Sequence, residues 1–357
     1  MLWEGAMHDA TTPITVKSAF ESLKAAGYPR PYVERLLPDW WDHSLFKTSA
    51  GAFQFALLLK QRLGLVVNFA QDGSLAIDAA TPNARFKRRR GTEEGALNIA
   101  ASLGMALARL SIFSAGAPYS PLPPDPNYIG HLVRQISGTN SVGFEGLLAL
   151  CWAQGIPVLF LKDLPKTSKR MTGMAVSVQG RPAIVLGFNS PQHARQLFVL
   201  AHELAHIVCG HVGENGVLID EDIAEVTDAL AGSDATRKDA EEKEADSFAL
   251  ALLRNGHTNV LKAIGRPDSA AVLASNAVIA GEQLGVDPGH LILSYAREND
   301  DWARANQALG YIADPRGAIE VLNQWFMQST DLGALSDENR EHVLAIQGFG
   351  SVTRVPT

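Results

Sequence analysis

The chain has 357 residues, with 31 Lys and Arg against 38 Asp and Glu, a formal charge of -7, which argues against a surface that coats nucleic acid or an acidic membrane throughout. Hydrophobic residues make up 46% and charged residues 19%, at a mean hydropathy of zero, as expected of a globular chain rather than a disordered or fibrous one. The two cysteines, Cys151 and Cys209, form no C-x-x-C, which excludes a disulfide framework and a cysteine-based zinc knuckle and points to a reducing, cytoplasmic setting.

The length allows two or three domains. The opening MLWEGAMHDATTP lacks the basic start and apolar run of a secretory signal. Apolar spacing predicts helices over Val16–Ala26, Pro31–Leu37 and Ala50–Leu65, punctuated by Gly27 and Pro38. Two β-like runs follow, Leu65–Ala70 and Ser74–Ile77, around the turn signal Asp72-Gly73. The basic run RFKRRR at 85–90 precedes a predicted helix over Thr92–Phe113; the low-charge stretch Gly95–Ala117 is broken by Asn98 and Arg109 and reads as a core helix rather than a membrane span.

Five prolines between Ser114 and Tyr128 predict a linker at 115–128. Helices are expected over Gly130–Ser137 and Phe144–Gln154. Ile156–Leu161, Gly173–Val178 and Pro182–Leu186 then read as strands, the last two joined at Gln179-Gly180. From Pro191 helices resume, broken at Gly256, Pro267, Pro288 and Pro315. The fold class read from this order is α+β, mainly helical, with a sheet of about three strands. The expected division is a helical region with a hairpin at 1–114, the linker, a domain at 129–256 and a helical region at 257–357.

The chemistry concentrates at residues 190–211. Ser190-Pro191 and Gly210 predict a helix over 191–209. It contains His202-Glu203-Leu204-Ala205-His206. Residues four apart lie about 40° apart around a helix, so both imidazoles share one face at the separation a single zinc ion requires. Glu203 projects from the adjoining sector, where it can act on a water without being a ligand. Chance alone yields H-E-x-x-H in a chain of this length on the order of once in a hundred sequences.

Catalytic zinc takes three protein ligands and keeps one open position. A third histidine six residues past the second is excluded, because that position is Val212. His211, about 140° round the helix from His206, reads as a ligand, a loop histidine or a substrate contact. A glutamate on a second helix is the stronger solution. In Asp239–Ala249, Glu242 and Asp246 share one face of a helix whose apolar stripe is Ala245, Phe248, Ala249, Leu252 and Leu253. Glu242 is the expected third ligand, with Glu241 and Glu244 as alternatives, and Asp246 is expected to accept from an imidazole N–H.

The combination of RQLFVLAHELAHIVCGHV with EKEADSFALALL, after the strand at Ala183–Gly187, resembles the ImmA/IrrE family of metallo-endopeptidases over roughly residues 145–255. The resemblance implies a small zincin-like domain with the active helix beneath a sheet, and a cytoplasmic peptidase that cleaves Xre/Cro-type repressors to switch on mobile elements or stress-response genes. It implies His202, His206 and Glu242 as ligands of one Zn2+, or another divalent ion such as Mn2+, and Glu203 as general acid/base. Ala205 stands where the family often has Gly, and the segment between the two metal helices is longer and more acidic than the family leads one to expect.

No tyrosine lies between Tyr128 and Tyr295, so His211 and His193 are the candidates for contacting the transition state or the substrate. The zincin resemblance implies a substrate that extends along the strand at Ala183–Gly187, adding to the sheet edge. RFKRRR reads as a solvated face or turn, with phosphate contact as the lesser alternative. Trp40, Trp41 and Cys209 read as packing residues, and the N-terminal helices carry no helix-turn-helix signature. The rival function is a non-proteolytic, metal-stabilised regulator binding a partner protein or DNA, including a toxin–antitoxin module. Residues 214–246 hold 12 acidic and 3 basic side chains, a local balance of -9 that leaves +2 for the remainder, so the acidity belongs to the connection between the metal helices and favours a basic, DNA-binding substrate.

Overall fold

The computed structural model describes residues 15–70, 74–78, 84–87, 95–166, 168–220 and 237–349. In chain order, α1 (Val16–Ala25), α2 (Arg30–Leu36) and α3 (Ser49–Leu63) precede β1 (Val66–Phe69), β2 (Leu75–Asp78) and β3 (Ala84–Lys87). Next come α4 (Gly95–Ser114), α5 (Pro126–Ser137), α6 (Phe144–Ala153), β4 (Val158–Phe160), β5 (Gly173–Val178), β6 (Arg181–Leu186), α7 (His193–Val208), β7 (Val217–Asp220) and α8 (Arg237–Leu253). Among the described residues six α-helices follow: α9 (Leu261–Ile264), α10 (Ala270–Leu284), α11 (Pro288–Asn299), α12 (Trp302–Tyr311), α13 (Ala318–Ser329) and α14 (Asp337–Gln347). The fold is α+β and mainly helical.

Local chemistry accounts for many of these boundaries. Thr48 caps α3 by accepting from the Gly51 N–H, and Gly64 ends the helix in the left-handed conformation at φ 68°. β1 and β2 pair antiparallel as the hairpin pattern predicts, although the turn residues 71–73 lie outside the described ones. Pro126, counted among the helix-excluding prolines, instead occupies the first turn of α5, where Asp125 caps it by accepting from the Asn127 and Tyr128 N–H groups.

The main sheet has five strands in the order β3-β7-β5-β6-β4, against about three expected. The three predicted strands form its centre and one edge: β5 and β6 are an antiparallel hairpin, and β4 runs parallel to β6. The additions are β7, antiparallel to β5, and β3, parallel to β7. Thus residues 85–87 of the basic run belong to a strand rather than a turn, while 88–90 are not among the described residues.

Both faces of the sheet are covered, which is why its strands read as continuous apolar runs. Met174, Val176, Ala183, Val185, Val217 and Ile219 join a core with α4 and the N-terminal helices. Val158, Phe160, Ile184 and Leu186 face the other way and pack with α6, α7 and α8. The segment Leu97–Ser114 of α4 is long and apolar enough to cross a membrane, yet 78% of it is buried inside the fold, as the core-helix reading expects. A third core unites α9 to α12 and takes in Ala194 at the start of α7.

Candidate metal centre

Helix α7 is positioned from both of its sides. Leu197, Leu200, Ala201, Leu204 and Ala205 are fully buried in the core it shares with the sheet and α8. The helix begins at His193, not at Pro191, because the Pro191 carbonyl accepts from the Ala318 N–H of α13 at 2.9 Å. Ser190 stays outside the helix and accepts from the Gln192 N–H at 3.3 Å. From α8, Ala245, Phe248, Ala249, Leu252 and Leu253 enter the same core, so the predicted stripe joins the two helices and fixes the depth at which Glu242 and Asp246 meet α7.

The Nε2 atoms of His202 and His206 lie 3.0 Å apart. Glu242 places Oε2 3.4 Å from His202 Nε2 and Oε1 3.6 Å from His206 Nε2. A tetrahedral ion with bonds of about 2.0–2.1 Å separates its ligand atoms by about 3.3–3.4 Å, so this triangle is the size that one zinc-like ion occupies. The donor chemistry agrees. Asp246 Oδ1 lies 2.9 Å from His202 Nδ1, a contact that favours a proton on Nδ1 and leaves the Nε2 lone pair for the centre of the triangle. His202, His206 and Glu242 are thus a possible metal site.

Glu203 is fully buried beside its neighbours on α7. Gly173, at the start of β5, makes room for it: a Cβ at that position would stand 2.1 Å from Glu203 Oε1 and 2.8 Å from its carboxyl carbon. Sequence reasoning took Gly173 only as the opening of a strand; a glycine heading a run of β-formers was the available signal for a close approach.

His211 and His193, the two candidates for contacting the reacting groups, are placed elsewhere. Gly210 turns the chain at φ 75°, and the His211 N–H then donates to the His206 carbonyl at 2.9 Å. The His211 ring stands behind His206, with its Nδ1 2.9 Å from His206 Nδ1, on the side of that ring away from the triangle. Its Nε2 lies 3.2 Å from Glu244 Oε2. Glu244, read in sequence as an alternative ligand, is 63% exposed in its side chain yet makes this contact. His193 opens α7, about 13 Å along the axis from His202, with Nε2 2.9 Å from the Arg316 carbonyl.

Cys209 packs against the α7–α8 core as expected, and burial together with Glu244 pushes its thiol up to about 11, which keeps it protonated and unreactive at neutral pH. The strand expected to receive substrate does not present an edge: β6 lies between β5 and β4. The strand adjoining Glu203 is β5, and β7 pairs with its outer side, setting Gly173 opposite Asp220.

Residues 151–257 match the family model described as the IrrE N-terminal-like domain, a peptidase family. The match runs from the end of α6 through the sheet hairpin and both metal-site helices. No curated protein and no solved structure matched the chain. Residues 151–257 are therefore a domain of the ImmA/IrrE metallopeptidase family.

Proposed function

We propose that the chain, by virtue of its ImmA/IrrE metallopeptidase domain, is a zinc-dependent endopeptidase that cleaves a regulatory protein, an Xre/Cro-type repressor, in the cytoplasm. The observation that carries the zinc reading is the convergence of the His202, His206 and Glu242 donor atoms at separations of 3.0 to 3.6 Å, with Glu203 next to His202 on the same helix. Zinc held by those three residues would supply electrophilic activation of a water and of the scissile carbonyl.

The chain's own residues supply the proton handling and the order. Glu203 accepts a proton from the attacking water and returns it to the leaving amine. Its burial, with Gly173 closing over its carboxylate, keeps bulk water from competing for that proton. Asp246 holds His202 in the tautomer that presents Nε2. The excess of acidic residues between α7 and α8 supports a basic partner such as a DNA-binding repressor.

The rival reading, a metal-stabilised regulator that binds without cutting, draws on the complete burial of His202, Glu203 and His206, since a peptide reaches them only when the surrounding chain moves. Incubation of the zinc-loaded protein with a purified Xre-type repressor separates the two. Cleavage that stops on addition of a chelator supports the peptidase. A stable complex with an intact repressor, under conditions where the repressor is displaced from its operator, supports the regulator.

A further inference from the structure

We propose that His211 and Glu244 are positioning residues for the metal centre, locking His206 in the one tautomer that can bind a metal through Nε2. The inference rests on the metal-site reading above and assigns work to two residues outside the three-ligand triangle. It follows from counting protons along one chain of contacts: His206 Nδ1 to His211 Nδ1 at 2.9 Å, then His211 Nε2 to Glu244 Oε2 at 3.2 Å.

An ionised carboxylate only accepts, so the Glu244 contact requires a proton on His211 Nε2. A neutral His211 then has a bare Nδ1, which can only accept. The proton between the two Nδ1 atoms therefore belongs to His206. A neutral His206 with Nδ1–H has its lone pair on Nε2, the atom that faces His202 Nε2 and Glu242. With both rings neutral, each step leaves one tautomer. His202 reaches the same state in one step through Asp246 at 2.9 Å, and His206 reaches it in two. Reversing His211 to the Nδ1–H tautomer would set two N–H groups against each other, or force the His206 proton onto Nε2 and remove a ligand.

The same count decides against a second metal. The ligand atoms of Cys209, His211 and Glu244 lie within 4.8 Å of one another, but a metal held there through His211 Nε2, the ring nitrogen beside Glu244, needs that atom bare. That places the His211 proton on Nδ1 and removes the lone pair on His206 Nε2. The two arrangements exclude each other, so the loaded protein should hold one ion and not two.

The test is zinc affinity of the full chain, measured by competition with a chromophoric chelator, with 15N chemical shifts of the histidine side chains as a second readout. Glu244→Gln, an exposed side chain whose replacement leaves the core intact, and His211→Phe should each weaken zinc binding about 10- to 100-fold, the range typical of partners that orient ligand histidines. His211→Asn, whose amide can both accept and donate, should recover part of the loss, and Lys243→Gln on the same exposed turn should change nothing. The spectra should place the protons on His206 Nδ1 and His211 Nε2. Wild-type affinity in both Glu244→Gln and His211→Phe, or a proton on His211 Nδ1, would overturn the proposal, as would a second bound zinc that Cys209→Ala removes. Failure of the wild-type chain to bind zinc at all would strike the metal-site reading instead, and is read separately.

Discussion

Glu203 and Gly173 form the closest-fitting pair at the centre, and neither tolerates enlargement of the other. A methyl at position 173 would stand 2.1 Å from a carboxylate oxygen, so Gly173→Ala must push the Glu203 side chain aside while leaving His202, His206 and Glu242 in place. The expected outcome is normal zinc content with at least a 100-fold fall in peptidase rate, in line with the loss of general acid–base catalysis, measured by metal analysis and peptide turnover on one sample. Loss of zinc in step with activity would mean that the glycine serves the metal helices rather than Glu203. At this scale the sequence was most informative where spacing alone sets geometry. His202, His206, Glu242 and Asp246 could be placed because i, i+4 positions share a helix face. His211 and Glu244 could not, because their contact depends on how Gly210 turns the chain back, a conformation that spacing does not specify.

At the scale of elements, the centre is held by the packing of α7 on α8. Leu252 is buried in the core that the two helices share with β4 and β6. Leu252→Ala should lower stability by about 2–5 kcal/mol, the usual range for such truncations, and because it sits on the stripe that sets the depth of Glu242 it should also weaken zinc binding. Denaturant titration and chelator competition on the same variant check both effects; a destabilised protein with unchanged zinc affinity would show that Glu242 is set by α7 contacts alone. The helices were legible because their apolar stripes and caps are local. Their exact starts were not: α7 opens two residues late because α13, more than a hundred residues on, takes the Pro191 carbonyl. Strands β3 and β7 escaped notice for a related reason. Each is four residues long, one lies inside a basic run and the other borders an acidic one, and each depends on pairing with distant chain.

Across the whole molecule, buried histidines away from the centre tie stability to pH. Burial, reinforced by Arg62, pushes His342 in α14 down to about 3, whereas an unfolded histidine titrates near 6.5. Between those values the unfolded chain carries the extra proton, so the stabilisation present above about pH 6.5 is lost progressively as pH falls through this window, by about 1.4 kcal/mol per pH unit for the one group. His342→Gln should flatten the acid limb of the stability–pH curve by that slope. His290, also pushed down to about 3, and the Asp287 carboxyl, raised by burial, titrate in both proteins and cancel in the comparison. Equal slopes in the two proteins would show that His342 does not remain neutral in the fold. This scale was the least legible in sequence: that α4 covers the face of the sheet opposite α7, and that α11 abuts the start of α7, are facts of long-range packing with no local signature.

Glu203→Gln separates the proton chemistry of Glu203 from metal binding by its neighbours, because it keeps the shape of the side chain and removes the base. Zinc content and repressor cleavage should be measured together on the wild-type and variant chains. One zinc per chain is expected in both, with cleavage in the wild type and none above background in the variant; cleavage at the wild-type rate by a zinc-loaded Glu203→Gln would show that Glu203 is not the base.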